Sequence, residues 1–133
     1  MRDELRVPVS RDADIVTARQ LGRELAAKAG FAGSDLTLIA TAISEVARNI
    51  ISYAEAGEIR LGLASKDGYP GLFVVAQDHG PGIPDIDLAM QDGFSTGKSL
   101  GLGLPGARRL MDEFEIVSVP GKGTTITMHK WRR

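Results

Sequence analysis

An α+β domain, with a mixed, mostly antiparallel sheet and its helices on one face, is the fold class this sequence predicts. Three observations carry it. The 133 residues suit one compact domain. No internal repeat, low-complexity segment or linker divides them. Helix-like and strand-like runs are mixed, without the strict alternation that a doubly wound parallel sheet requires. A single domain over residues 1–133 is therefore expected, burying roughly two-thirds of its unfolded surface.

Each element follows from local pattern. Leu5–Val9 (LRVPV) alternates apolar and polar residues, and Pro8 confines it to a sheet edge. Asp12 or Asp14 caps a helix with Ile15, Ala18, Leu21, Leu25 and Ala26 among its apolar positions, and Gly30 ends it. Ser34 is the expected N-cap of a second helix reaching about Tyr53, with Ile39, Ile43, Val46 and Ile50 on one stripe. Residues 58–65 and 71–77 read as strands joined by a turn over 66–70. Residues 80–103 are glycine-rich and irregular, with a short helical hint at 85–90; a segment of this kind is usually either a functional lid or disordered. A third helix is expected over 104–114, with Pro105 tolerated in its first turn. Residues 115–119, a turn at 120–123 and residues 124–131 make a closing hairpin.

Composition excludes several classes of function. Sixteen basic residues against seventeen acidic ones leave a net charge of −1, which argues against broad nucleic-acid binding. Lys130, Arg132 and Arg133 read as a solvated terminus. The absence of cysteine excludes disulfides, thiolate metal sites and a cysteine nucleophile, and is compatible with a cytoplasmic protein. The first residues lack the apolar core of a signal peptide, and no apolar run approaches the ~20 residues of a membrane span.

Residues 92–106, DGFSTGKSLGLGLPG, hold two overlapping nucleotide patterns, and neither survives inspection. A Walker-type loop needs four residues between its first glycine and the glycine-lysine pair, after a strand. Gly93 and Gly97 enclose three, and the position that would restore the count is the anion Asp92. The dinucleotide fingerprint must follow a strand, whereas Gly101 follows the polar loop STGKSL. Glycines leading into a helix still leave N–H groups and a positive dipole end for an anion, or else form a loop with no ligand.

Three further pieces stand elsewhere. Asp78-His79-Gly80-Pro81-Gly82 follows the apolar run LFVVAQ. Its glycines permit a sharp turn and close approach of a planar ligand. Asp78 at a buried strand end needs hydrogen-bond donors, and an adenine amine is one; a turn with an aspartate cap is the alternative. His79 reads as a turn residue. Glu45 and Asn49 share a helix face at four-residue spacing, as an oxygen site for magnesium or as an exposed polar edge. Gly121 to Ile126, GKGTTI, is a glycine turn entering a strand.

Taken in order, Glu-x-x-x-Asn on a helix, Asp-x-Gly-x-Gly after a strand, a glycine lid ending Gly-x-Gly-Leu and a late Gly-Thr resemble the Bergerat-fold (GHKL) ATPases of the gyrase, histidine kinase and MutL superfamily. ISEVARNI (43–50), DHGPGIPD (78–85), the lid stretch and RLMDEF (109–114) are similar to the RsbT-type serine-protein kinases. That resemblance implies a two-layer α/β sandwich that binds ATP. Asp78 would take the adenine amine, with Gly80, Gly82, Ile83 and Thr124 around the base. Asn49 would hold Mg2+ with the ATP phosphates. Ser95, Thr96, Gly97, Lys98 and Ser99 would form the lid with Leu100, Gly101, Leu102 and Gly103, leading into Leu104. Glu45 would orient the nucleophile or take its proton, and Arg48 either reaches the phosphates or acceptor or is an ordinary surface arginine.

The resemblance further implies a serine/threonine kinase acting on STAS-domain proteins of a stressosome-like partner-switching module. When released, it would bind and activate a phosphatase. Two alternatives stand beside it: an anti-sigma factor kinase that sequesters a sigma subunit, and a non-catalytic binding module switched by ATP.

Overall fold

The computed structural model describes residues 4–90 and 103–133. Its elements run β1 (Leu5–Val9), α1 (Asp12–Lys28), α2 (Ser34–Ala54), β2 (Gly57–Lys66), β3 (Tyr69–Asp78), α3 (Ile86–Ala89), α4 (Gly103–Leu110), β4 (Glu113–Val119) and β5 (Gly123–Trp131). The strands form one sheet in the order β1-β2-β3-β5-β4. Every pairing among the described residues is antiparallel, so the sheet they form is antiparallel rather than mixed. Its two hairpins are joined by the long connection through α3 and α4, and β5 inserts between β3 and β4.

Side-chain alternation divides the sheet into two faces. Val7 and Val9, Ile59 and Leu61, Leu72, Val74 and Ala76, then Ile126 and Met128 all point to one side and are buried. The apolar stripe of α2, Ile39, Ile43, Val46 and Ile50, packs onto that side at 0–1% exposure. Helix α1 lies beside α2, and Gly22 lets the two approach, since a β-carbon there would meet the Ile43 side chain.

Four boundaries depart from the sequence reading, each for a local reason. Asp14 is the third residue of α1 rather than its cap. Its carboxylate accepts the N–H groups of Ser10 (2.9 Å) and Arg11 (3.1 Å), which hold it below the usual carboxylate range. The N-cap of α2 is Gly33 at φ 61°, not Ser34, because the short reversal out of α1 needs a left-handed residue. The turn at 66–70 shrinks to Asp67-Gly68 at φ 53° and 84°, the two-residue type whose twist matches an antiparallel pair, so Pro70 falls inside β3. Helix α4 stops at Leu110 rather than 114. There the Asp112 N–H goes to the His129 carbonyl (2.9 Å) and its carboxylate takes the Trp131 N–H (2.7 Å), which commits Phe114 to β4.

Candidate functional site

The site begins where β3 ends. Asp78 is 4% exposed. Its Oδ1 accepts the N–H of Gly80 (3.0 Å) and the N–H of Thr124 (3.2 Å). Two donors on one oxygen offset the cost of burying the charge. The other oxygen, Oδ2, has no hydrogen-bond partner among the described residues.

The loop after Asp78 is tied to the β4–β5 turn. Ile83, buried, donates its N–H to Ser118 Oγ (2.7 Å), and Ser118 Oγ shares a second hydrogen bond with Thr124 Oγ1 (2.8 Å). Gly121 N–H reaches the Pro81 carbonyl (2.9 Å). The glycines here make room for protein. A β-carbon on Gly80 would lie 2.5 Å from that of Ala54, at the end of α2. Gly82 sits at φ 85°, and a β-carbon there would lie 2.9 Å from the Val119 carbonyl oxygen. Close packing of this loop on α2 and β4 is thus a second demand on both glycines, beside the approach of a base.

Ser118 escaped the sequence reading, and Gly123 entered it only as part of the late Gly-Thr turn. Ser118 stands directly across from Thr124 in the β4–β5 register, a lone small polar residue on the covered face of β4. No local signal in the sequence marks it, because the pairing exists only once the register is set. Gly123, at φ 121°, could not carry a β-carbon without striking the Asp78 carbonyl.

Helix α2 supplies the rest. Glu45 and Asn49 are 7% and 8% exposed, so the reading of an exposed polar edge fails. Asn49 makes no side-chain hydrogen bond among the described residues. A buried amide left open in mid-helix suits a cation that takes oxygen ligands singly and shares the remainder with phosphates and water. Glu45 pairs with Arg48 (3.5 Å), whose side chain is 34% exposed. Beyond Arg48, an open groove between α1 and α2 is lined by Ile15, Val16, Arg19 and Ile51.

Position along α2 orders these groups. The Asp78 loop abuts Ala54; Asn49 lies about 7.5 Å back along the axis, and Glu45 a further ~6 Å. Helix α4 packs against α2, with Gly103 at its first position and Leu104 buried in the core. Ser95, Thr96, Gly97, Lys98, Ser99, Leu100, Gly101 and Leu102 lie outside the described residues. His79 is exposed.

A five-stranded antiparallel sheet backed by α1, α2 and α4, with an acid at a strand end and a Glu-x-x-x-Asn pair on the helix above, fits one family description. The model of the histidine kinase-like ATPase domain matches residues 9–130. The chain belongs to that family. Over all 133 residues, the whole of both chains, it is 52% identical to the serine/threonine-protein kinase RsbT of Bacillus subtilis, and it belongs with the RsbT-type serine/threonine-protein kinases. It is 34% identical over 99 residues to an anti-sigma F factor of Caldanaerobacter subterraneus, covering 70% of this chain and 68% of that one.

Among solved structures, the RsbU and RsbW domains of a Mycobacterium tuberculosis protein superpose with a TM-score of 0.62 at 26% identity. That match covers 98% of this chain but 32% of the other. The mycobacterial sensor histidine kinase MprB, at TM-score 0.57 and 16% identity, shares the fold.

Proposed function

We propose that this protein binds ATP with Mg2+ and transfers the γ-phosphoryl group to a serine or threonine of a STAS-domain partner. The setting is a cytoplasmic, stressosome-like partner-switching module in which the released kinase activates a phosphatase. The observation that carries this reading is the order of groups along α2. A carboxylate with a spare acceptor stands at one end, an open amide in the middle, and a buried glutamate beyond it.

Asp78 Oδ2 accepts the exocyclic amine of adenine while Oδ1 keeps the loop folded. Asn49 would hold the metal through its carbonyl oxygen, and the metal when bound would neutralise charge on the phosphates. Ser95 to Gly103, with Lys98, would meet the triphosphate. The acceptor hydroxyl oxygen attacks the γ-phosphorus, the bond from that phosphorus to the β–γ bridging oxygen breaks, and ADP departs. Glu45 takes the hydroxyl proton. Arg48, paired to Glu45, lines the groove side, where a protein acceptor has room to enter. Phosphoryl transfer asks for little beyond this positioning and charge balance.

The anti-sigma F relatives favour a second reading, in which the same surface also captures a sigma subunit. Their identity is lower and spans about two-thirds of each chain.

Labelled ATP with a STAS-domain protein tests both. The expected result is label on serine or threonine, with Glu45→Ala slowing transfer by roughly 10²–10⁴-fold while ATP affinity stays within about threefold. Tight ATP binding with no transfer to any STAS protein would leave only the switch module. Stable capture of a sigma subunit would favour the second reading.

A further inference from the structure

Beside the unpartnered Oδ2 of Asp78 lies a second open group, the hydroxyl proton of Thr124. The Ile83 N–H can only donate, so Ser118 Oγ accepts from it at 2.7 Å. Ser118 then has one proton of its own to place. Thr124 Oγ1 stands 2.8 Å away, within the range of an O–H···O bond, whereas the Gly123 carbonyl at 3.5 Å is beyond it. In the reverse assignment Thr124 donates to Ser118, which then receives two donors while its own proton faces only that distant carbonyl. The short bonds therefore run one way: Ile83 donates to Ser118, and Ser118 donates to Thr124.

That leaves the Thr124 proton over. Among the described residues Thr124 Oγ1 meets no second partner. Thr124 is 2% exposed, and a buried hydroxyl proton without an acceptor is costly. Its N–H is bound to Asp78 Oδ1 at 3.2 Å, which sets this side chain next to the carboxylate. The two residues together present an acceptor, Asp78 Oδ2, and a donor, the Thr124 hydroxyl.

We propose that Ser118 is a positioning residue for base selection: by donating to Thr124 it leaves the Thr124 proton for a ring nitrogen of the purine. The proposal rests on the contact of Asp78 with the adenine amine. Adenine suits the pair, because its amine is flanked by the ring nitrogens N1 and N7, both acceptors. A 6-oxo purine fails at Asp78, where its O6 would face a carboxylate oxygen. Thr124 by itself would choose poorly, since a hydroxyl free to rotate donates or accepts. The Ser118 proton commits it to donating, so the base is read at a second point.

Calorimetry of the full chain with Mg2+ and ATP, 1-deaza-ATP or 7-deaza-ATP tests this, because each analogue replaces one ring nitrogen with a C–H group. Wild type is expected to bind one analogue about tenfold more weakly than ATP and the other within about threefold, which names the nitrogen that is read. In Ser118→Ala the tenfold gap should close to about twofold, with ATP itself several-fold weaker. Thr124→Val, which removes the hydroxyl but keeps its shape, should close the gap as well, and Ser118→Thr should keep it. A Ser118 that merely braces the turn would weaken ATP and both analogues alike and leave the gap intact, which overturns the proposal. Circular dichroism melting checks folding; where Ser118→Ala does not fold, a gap that survives in Thr124→Val overturns it equally. Equal binding of all three nucleotides by wild type sinks the role of Ser118 and spares the ATP site. Failure of wild type to bind ATP at all sinks the adenine contact beneath it.

Discussion

Asp78 and Glu113 are carboxylates near opposite ends of the same sheet, both tied to the β4–β5 hairpin, and they are used in opposite ways. Asp78 is buried and bonds backbone N–H groups through one oxygen. Glu113 is half-buried and meets side chains through both. Its Oε2 accepts Lys66 Nζ (2.7 Å) and Trp131 Nε1 (2.9 Å), and Oε1 faces His129 Nδ1 (3.3 Å). Lys66 lies 5.9 Å above the Trp131 ring, which stacks on His129, so the cluster clasps β2, β4 and β5 across the open face. Both oxygens of Glu113 face groups of the protein itself. A carboxylate so placed is structural, whereas a buried one with an unpartnered oxygen is available to a ligand.

The sharpest way to break this contrast is Asp78→Asn. It removes a charged acceptor from the adenine position and sets an amide against the Gly80 and Thr124 N–H groups. ATP affinity by calorimetry is expected to fall by roughly 10–100-fold, the scale of a hydrogen bond to a charged group. An unchanged affinity would separate the acid from the nucleotide.

Ser118→Ala is a smaller probe of the same end. It strips the Ile83 N–H of its acceptor and Thr124 Oγ1 of its partner. A loss of about 1–3 kcal/mol in stability is expected by denaturant titration, with ATP binding weakened several-fold as the loop loosens. Retention of both would mean that the turn is held without Ser118.

The smallest effect on nucleotide is expected at the other end. Glu113→Gln should leave ATP affinity within about twofold and alter only the pH profile of stability. The hydrogen bond from Lys66, then that from Trp131, hold the Glu113 carboxyl below the usual carboxylate range. Its contribution is therefore present above the ordinary value of about 4.3 and lost as pH falls through the lowered one. The same hydrogen bond raises Lys66, whose share is present below the ordinary lysine value and lost as pH rises through the raised one. Melting temperatures recorded from pH 3 upward check this: the variant should show a shallower acid slope than the wild type, in which Asp14 also contributes. An identical slope in both would mean that the clasp contributes nothing to folding.

Much of the fold was legible. The edge strand at Leu5–Val9 came out as its alternation and Pro8 predict, and the α2 stripe packs as its spacing predicts. The overrun of the third helix had a physical cause, since Leu110, Met111 and Phe114 keep helical spacing. Only pairing of 113–119 with β5 overrides it. The candidate site was legible where chemistry was unusual for its context, as with Asn49 inside a helix and Asp78 after an apolar strand. Ser118 was not, because a serine in a strand is ordinary until the register sets it against Thr124.

Local pattern alone determined which segments curl, which extend and which residues carry charge or an amide at odds with their neighbours, because those properties depend on residues a few positions apart. Tertiary structure decided the strand order, the burial of Glu45 and Asn49, and the division of Asp78 between two backbone donors and an oxygen with no partner among the described residues. Each of these depends on groups brought together across the chain, and no short window of sequence contains both partners.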